Sequence, residues 1–387
     1  MRVEISDCIK YIGVDDRDID LFESQYIVPN GVSYNSYVIL DEKIAIMDTV
    51  DKRKGEEWLK NLEAVLDGKE PYYLVVSHME PDHGSSIDML LKKYPNITIV
   101  GNAKTFTMIG QFFNLEVEYN KLVVADGDEL ELGSHSLKFI FAPMVHWPEV
   151  MVSYEKLEKV LFAADAFGKF GALDTDEDWA CEARRYYFNI VGKYGVQVQS
   201  LLKKVSAFEI ETICPLHGPI LSENLGYYIN LYDIWSSYKP EAEGVFIAYA
   251  SIHGNTAKVA REFKSMLEEK GAKKVAIADL SRDDLAECIE DAFKYGKVVL
   301  ASSSYDGGVF TPMHDFLAHL ATKGYKNRTV ALIENGSWGP TAARTMKAML
   351  EGMKDITICE NVVTIRSAMK PADKESLSVL ADELLSK

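Results

Sequence analysis

The stretch VVSHMEPDHGSS, residues 75–86, decides how this chain is read. An apolar run ends at Ser77. The six residues from His78 to His83 then carry two histidines and two carboxylates, with no lysine or arginine in the stretch to pair with them. Polar groups packed this densely behind an apolar run need a partner, because a buried charge without one is costly. If the chain stays extended just past the strand, His78 and Glu80 project to the same side, since strand side chains alternate. Pro81 ends that extension, and Asp82 and His83 come round from the turn that follows. One short loop then offers ligands to two adjacent metal ions.

Three further groups sit at or just after the ends of later apolar runs: His146 in APMVHWPE, Asp165 at the end of VLFAAD, and His217 in TICPLHGP. Ligands at strand ends converge on one edge of a sheet, where α/β proteins usually build their sites. Each has an ordinary alternative. A lone histidine after a strand is most often a hydrogen-bonded loop residue, and Asp165 could cap a helix starting at AFGKF. Cys214, close to His217, is expected to be a small core residue rather than a ligand. The cluster at 78–83 has no such ordinary explanation.

Composition narrows the function classes. The chain has 387 residues, 47% of them hydrophobic, which suits two domains with normal cores. Its formal net charge is −17, and an acidic surface repels phosphate backbones, so no nucleic-acid partner is expected. There is no 18-residue apolar run, so no membrane span is expected. The first residues, MRVEISDCIKYIGVDDRD, are charged and lack an apolar signal core, which points to a cytoplasmic protein. The five cysteines (Cys8, Cys181, Cys214, Cys288, Cys359) form no CxxC pair, so neither a zinc ribbon nor a rubredoxin-type iron site is encoded. Their scatter suits a reducing compartment and inert thiols.

The polar segment SSYKPEAE, 236–243, separates two rhythms, and the expected domains are 1–243 and 244–387. The first is rich in short strands: SYNSYVIL (33–40) and IAIMDTV (44–50) as a hairpin, then 72–77, 97–101, 137–143, 150–154 and 160–165, with a helix over 54–66. Mixed strands and helices argue for a layered α/β domain. The second alternates regularly. Strands are expected at 244–250, 274–280, 297–303, 328–335 and 356–362, with helical stretches between most of them. This is the pattern of a doubly wound parallel sheet.

Three loops follow strand ends in that second segment. ASIHGNTAK carries Ser251, Ile252, His253, Gly254, Asn255 and Thr256 into a helix N-terminus, which favours a phosphate. It is neither a Walker loop nor GxGxxG. The second loop carries Ser303, Ser304, Tyr305, Asp306, Gly307 and Gly308; the third carries Asn335, Gly336, Ser337, Trp338 and Gly339. Each of these sets one aromatic among small residues. The first loop resembles the phosphate loop of flavodoxins, and the other two resemble the loops with which flavodoxins cover a flavin ring. Together they indicate an FMN site. The second loop departs from that pattern in having Ser303–Ser304 where Pro-Thr is frequent, and the third in having Pro340 where a second aromatic is frequent.

The metal groups, with Asp48 in IMDTV, resemble the metallo-β-lactamase superfamily over roughly residues 1–240. Its hydrolases usually read HxHxDH, and this chain reads HxExDH. Glu80 replaces a neutral nitrogen with an anionic oxygen. Glu80, Asp82 and Asp165 with one bridging hydroxide balance two divalent ions, a shell that favours iron on oxidation, although ligand type alone leaves zinc open. A lactamase-like domain with this change, followed by a flavodoxin-like domain, resembles the flavodiiron proteins over nearly the whole chain, as do HWPEVMVSY (146–154) and HGNTAKVA (253–260). The resemblance implies a metallo-β-lactamase-like αββα sandwich followed by a flavodoxin-like sheet. It implies FMN and two non-haem irons as cofactors. His78, Glu80 and His146 would serve one iron, Asp82, His83 and His217 the other, and Asp165 would bridge. Tyr194 is a candidate hydrogen-bond donor to bound gas. The implied activity is reduction of O₂ to water, of NO to nitrous oxide, or of both. A separate donor is implied, either a rubredoxin-like protein or reduced deazaflavin, and so is a head-to-tail homodimer or a dimer of such dimers. Two other readings stay open: a dizinc hydrolase with a flavodoxin appendage, and an electron-transfer flavoprotein whose metal site senses gas.

Overall fold

A computed structural model describes residues 5–115 and 118–387 of the chain. It divides into two compact units, Met1–Tyr187 with Tyr194–Asp233, and Phe188–Lys193 with Ile234–Lys387.

The first unit is built on two sheets. One runs Ile9–Tyr11, Tyr37–Ile39, Ala45–Met47, Tyr73–Val75, Thr98–Gly101, Asn120–Val123; the other runs Glu129–Glu131, Ser136–Phe141, Met151–Glu155, Val160–Phe162, Thr212–Cys214. Alternation explains why they stack. Tyr37, Ile39, Ala45, Met47, Tyr73 and Val75 of the first share one apolar cluster with Leu137, Phe139, Met151, Val160, Phe162 and Cys214 of the second. Residues of opposite parity in the first sheet, Val38, Ile46, Leu74 and Ile99, are buried as well. The helix Gly55–Leu66 supplies a matching stripe, Trp58, Leu62 and Leu66, at helical spacing. Cys214 belongs to this core, and burial pushes its thiol well above its usual pKa.

The expected hairpin exists, since Tyr37–Ile39 pairs antiparallel with Ala45–Met47. The run 33–40 is not one strand, however. Val32–Tyr34 pairs instead with Val14–Asp16. The break is at Asn35, whose buried side-chain amide donates to the carbonyls of Pro215 and Gly218, both at 2.8 Å, while its backbone N–H donates to Leu216 at 2.8 Å. Those bonds turn the chain out of the first sheet and anchor the loop that carries His217.

The second unit holds a parallel sheet in the order Val275–Asp279, Ala242–Ala250, Tyr295–Tyr305, Arg328–Asn335, Ile356–Ile365. Taken by sequence, the order is 2-1-3-4-5, the doubly wound arrangement whose switch point lies between the first and third strands. One face packs Val245, Ile247 and Tyr249 with Phe263 and Leu267 of the helix Asn255–Glu269 and with Leu377 and Leu380 of the helix Pro371–Ser386. On the other face Phe246 meets Phe316 of the helix Thr311–Thr322 edge-on. Both loops at the switch point are loops marked out above for flavin binding.

Candidate metal centre and cofactor cavity

The strand Tyr73–Val75 ends before His78, and Glu80 stands just ahead of a short helix, Pro81–Gly84, that begins at the proline. The N–H groups of His83 and Gly84 both donate to the carbonyl of Glu80. Pro81 at the first helical position thus throws Asp82 and His83 back toward the strand end. His146, Asp165 and His217 follow the strands Ser136–Phe141, Val160–Phe162 and Thr212–Cys214.

All seven residues come together in two groups. His78, Glu80, His146 and Asp165 lie within ligand distance of one another, as do Asp82, His83 and His217. Asp165 faces both. Its Oδ2 lies 3.3 Å from His78 Nε2 and 3.1 Å from His146 Nε2, and its Oδ1 lies 3.4 Å from His83 Nε2 and 3.7 Å from His217 Nε2. Glu80 closes the first group, 3.0 Å from His146 Nε2 and 3.3 Å from His78 Nε2. Asp82 Oδ2 closes the second, 3.2 Å from His217 Nε2 and 3.3 Å from His83 Nε2.

These contacts are not a self-sufficient hydrogen-bond network. Among the described residues, both carboxylate oxygens of Asp82 and of Asp165, and Nε2 of His146, are buried without a hydrogen-bond partner. Each orphaned polar group of this kind costs about 1–3 kcal/mol. His83 and His217 point their Nε2 atoms at each other across 3.0 Å. His217 Nδ1 lies 2.8 Å from the Ser33 carbonyl, an acceptor, so Nδ1 carries the proton and Nε2 presents a lone pair. Lone pairs and anions aimed at common points fit a pair of metal cations.

Electrostatics agrees. Burial alone would push the imidazolium forms down. Asp165 and Glu80 outweigh it and hold His146 up at about 9, and Asp165, Glu149 and Glu80 hold His78 well above its usual value. Glu80 and Asp165 are held far below the carboxylate range by their histidine neighbours, despite burial. A cation of higher charge replaces those protons in the same field.

The three loops of the second unit enclose a cavity of about 500 Å³. Every predicted residue of those loops lines it except Gly254 and Gly308, and Thr341 and Ser367 line it in addition. Gly254 is instead the residue before the helix Asn255–Glu269, at φ +83°, where a side chain would be strained. Gly308 pairs with Tyr305 across a two-residue turn, Asp306–Gly307, with φ of +46° and +73°, a type I′ hairpin. The loops are tied together: Thr256 Oγ1 lies 3.0 Å from Ser303 Oγ, and Ser304 Oγ accepts from the N–H of Thr341 at 2.8 Å. Trp338 is 93% exposed, an apolar ring lying open beside the cavity.

With this geometry in view, the chain can be compared with known proteins. A family model described as ODP family beta lactamase matches residues 32–218, a span that contains all seven grouped residues. The nitric oxide reductase of Moorella thermoacetica is 28% identical over 94% of this chain and 93% of its own length. The structure resembles rubredoxin oxygen:oxidoreductase from Desulfovibrio gigas with a TM-score of 0.92 and 25% identity, covering 99% of this chain and 97% of that one. A variant of the flavo di-iron protein from Thermotoga maritima matches with a TM-score of 0.87 and 25% identity, covering 99% and 98%. The likeness runs through both units together. In sequence and in fold the chain is similar to flavodiiron proteins over nearly its whole length.

Around the metal groups, Glu149 and Tyr186 escape a reading of the sequence, whereas Asp48 lies in the IMDTV stretch already singled out. Glu149, fully buried, lies 2.7 Å from Nδ1 of His78 and accepts from the N–H of Met79. It fixes the His78 ring with Nε2 toward the centre. Asp48 accepts from the N–H of Ser77 at 2.7 Å and of His78 at 3.3 Å, and burial raises its carboxyl to about 6. Tyr194 is half-buried in the turn Gly192–Tyr194. Two tyrosines pack against His217, Tyr34 at 6.1 Å and Tyr186 at 5.5 Å, and the Tyr186 hydroxyl is held protonated by burial and by Asp165, Asp82 and Glu80. A separate cavity of about 400 Å³, lined by residues 19–24 among others, reaches Glu80 and Asp82.

Proposed function

We propose that the chain is a flavodiiron reductase that holds FMN in the second unit and two non-haem irons in the first, and that reduces O₂ to water, NO to nitrous oxide, or both. FMN supplies a two-electron store that delivers electrons one at a time, and a ferrous pair supplies open positions for a diatomic gas. The observation that carries this reading is Asp165, with one oxygen turned to each of two histidine–carboxylate groups. His78, Glu80 and His146 are assigned to one iron, Asp82, His83 and His217 to the other, and Asp165 to both.

The protein's own groups have definable tasks. Glu149 keeps the proton of His78 on Nδ1, and the Ser33 carbonyl does the same for His217, so both rings keep Nε2 free for metal. Phe22 and Tyr186, packed 5.4 and 5.5 Å from the His217 ring, keep water from that side. The cavity along 19–24 is the assigned path for a small gas. In the second unit, the N-terminus of the helix Asn255–Glu269 is assigned to the FMN phosphate, with Tyr305 and Trp338 beside the ring.

The expected division at 243/244 assigns the metal groups to the first part and the FMN loops to the second, while the compact units part between Asp233 and Ile234 and the second also takes in Phe188–Lys193. No helix among the described residues is long and apolar enough to cross a membrane, and we place the protein in the cytoplasm. The electron donor is assigned to a separate protein of rubredoxin type or to a reduced deazaflavin. A head-to-tail homodimer is the expected assembly, because electron transfer needs a flavin and an iron pair close together, and a symmetric dimer can pair the two unlike domains.

Gas consumption on O₂ and NO electrodes, with the anaerobically reduced protein over a dilution series, tests this reading. Sustained turnover of at least one gas is expected, with specific activity falling as dimers dissociate. No turnover of either gas by protein loaded with both cofactors would overturn the reductase; undiminished activity in a proven monomer would overturn the dimer.

A further inference from the structure

We propose that Cys8, His135 and Glu158 form a second metal site, containing a thiolate and selective for a zinc-like divalent cation, at the edge of the first unit. The ligand atoms of these three residues lie within 4.8 Å of one another. None of them belongs to the groups around Asp165, and each comes from a different part of the sandwich. Cys8 immediately precedes the edge strand Ile9–Tyr11 of the first sheet. His135 stands in the turn after Glu129–Glu131, the edge strand of the second sheet, and Glu158 in the turn after Met151–Glu155.

The histidine is prepared as a ligand. His135 is 2% exposed, and its Nδ1 lies 3.1 Å from Oε1 of Glu155, a carboxylate with no exposed surface. Glu155 also accepts the N–H of Leu157 on Oε1 at 2.9 Å and that of Glu158 on Oε2 at 2.7 Å. Glu155 is the acceptor in all three contacts, so the His135 proton sits on Nδ1 and the lone pair on Nε2. That nitrogen makes no hydrogen bond among the described residues; Glu158 Oε1 stands 4.0 Å away, the nearest charged oxygen recorded for it. One buried carboxylate thus sets both the ring that offers Nε2 and the turn that carries Glu158. This is the arrangement that orients zinc-bound histidines through their other nitrogen.

The donor set decides the ion. A thiolate, an imidazole and a carboxylate suit zinc and disfavour magnesium or calcium, which take oxygen alone. Their summed charge of minus two neutralises one divalent cation. Cys8 is half-exposed, so the ion can enter from solvent. On binding, the Cys8 thiol loses its proton to solvent as the metal–sulfur bond forms, and no electrons change hands. Existing bonds already join the two sheets here: in the turn between Tyr37–Ile39 and Ala45–Met47, Asp41 accepts from the His135 N–H at 2.6 Å and the Lys43 N–H donates to the Leu132 carbonyl at 2.8 Å. An ion at this place fastens the start of the first sheet to two turns of the second.

The test uses the cofactor-loaded protein with one added equivalent of Zn²⁺, read by X-ray absorption at the zinc edge, to which iron and flavin contribute nothing. The expected result is one sulfur neighbour at about 2.3 Å with nitrogen or oxygen around it. Cys8→Ser should remove the sulfur and weaken zinc binding at least about tenfold, with iron and FMN content unchanged. If Cys8→Ser is poorly folded, Glu158→Gln on the outer turn gives the second readout: the sulfur remains, zinc binding weakens, and the zinc-dependent rise in melting temperature shrinks. A zinc shell of nitrogen and oxygen only, or a sulfur that persists in Cys8→Ser, would overturn the proposal. Because zinc binding is read directly, a failure here leaves the gas-reductase reading untouched.

Discussion

Glu149 shows how much a single uncoordinated carboxylate can matter. It touches His78 and not the point where metal would sit, yet it fixes the tautomer and the aim of the ring. Glu149→Gln keeps the shape and removes the charge. Iron retention against a chelator should fall about tenfold or more, the usual cost of losing such a partner, with FMN content unchanged. Retention equal to the parent would mean that His78 needs no such support. At this scale the sequence was partly legible. His78, Glu80, Asp82 and His83 announced themselves because a proline-broken loop compresses them into six residues. Glu149 and Tyr186 did not, because their roles depend on which strand ends lie side by side. Nothing in WPEV separates Glu149 from an ordinary surface glutamate, and nothing in EARRYYF separates Tyr186 from an ordinary core tyrosine, although its ring packs against His217.

Elements carry the cavity of the second unit, and Gly336 is the clearest point of constraint within it. Its N–H donates to the Ile365 carbonyl at 3.0 Å, and a Cβ added there would lie 2.8 Å from Cα and 3.1 Å from N of Pro340. The clash is with backbone, so a larger residue must move the whole loop between Asn335 and Thr341. Gly336→Ala should therefore weaken FMN binding about tenfold, consistent with an overpacking cost of about 1–3 kcal/mol, and leave the iron content as it was. Flavin fluorescence titration of the FMN-stripped protein reads this, and an unchanged dissociation constant would show that the third loop does not frame the flavin. The strands of this unit were legible because continuous apolar runs alternate with helices. The break at Asn35 in the first unit was not, because the hydrogen bonds that bend the chain come from Pro215 and Gly218, far away in sequence.

For the molecule as a whole, two folds that each occur with many chemistries are joined in one chain, and fold alone would not fix a function. What narrows it is the pairing of two carboxylate–imidazole groups, both faced by Asp165, with a cavity framed by the loops at a parallel sheet's switch point. A dizinc hydrolase would have no use for the second unit, whereas a redox metal pair needs an electron store beside it. The most direct measurement is an anaerobic reductive titration of the protein as loaded with its native metals and FMN, counting electrons taken up per chain while following the flavin spectrum. The account predicts about four, roughly half bleaching the flavin and the rest entering the metal pair. Uptake of about two, all accounted for by the flavin, would contradict it, because zinc accepts no electrons.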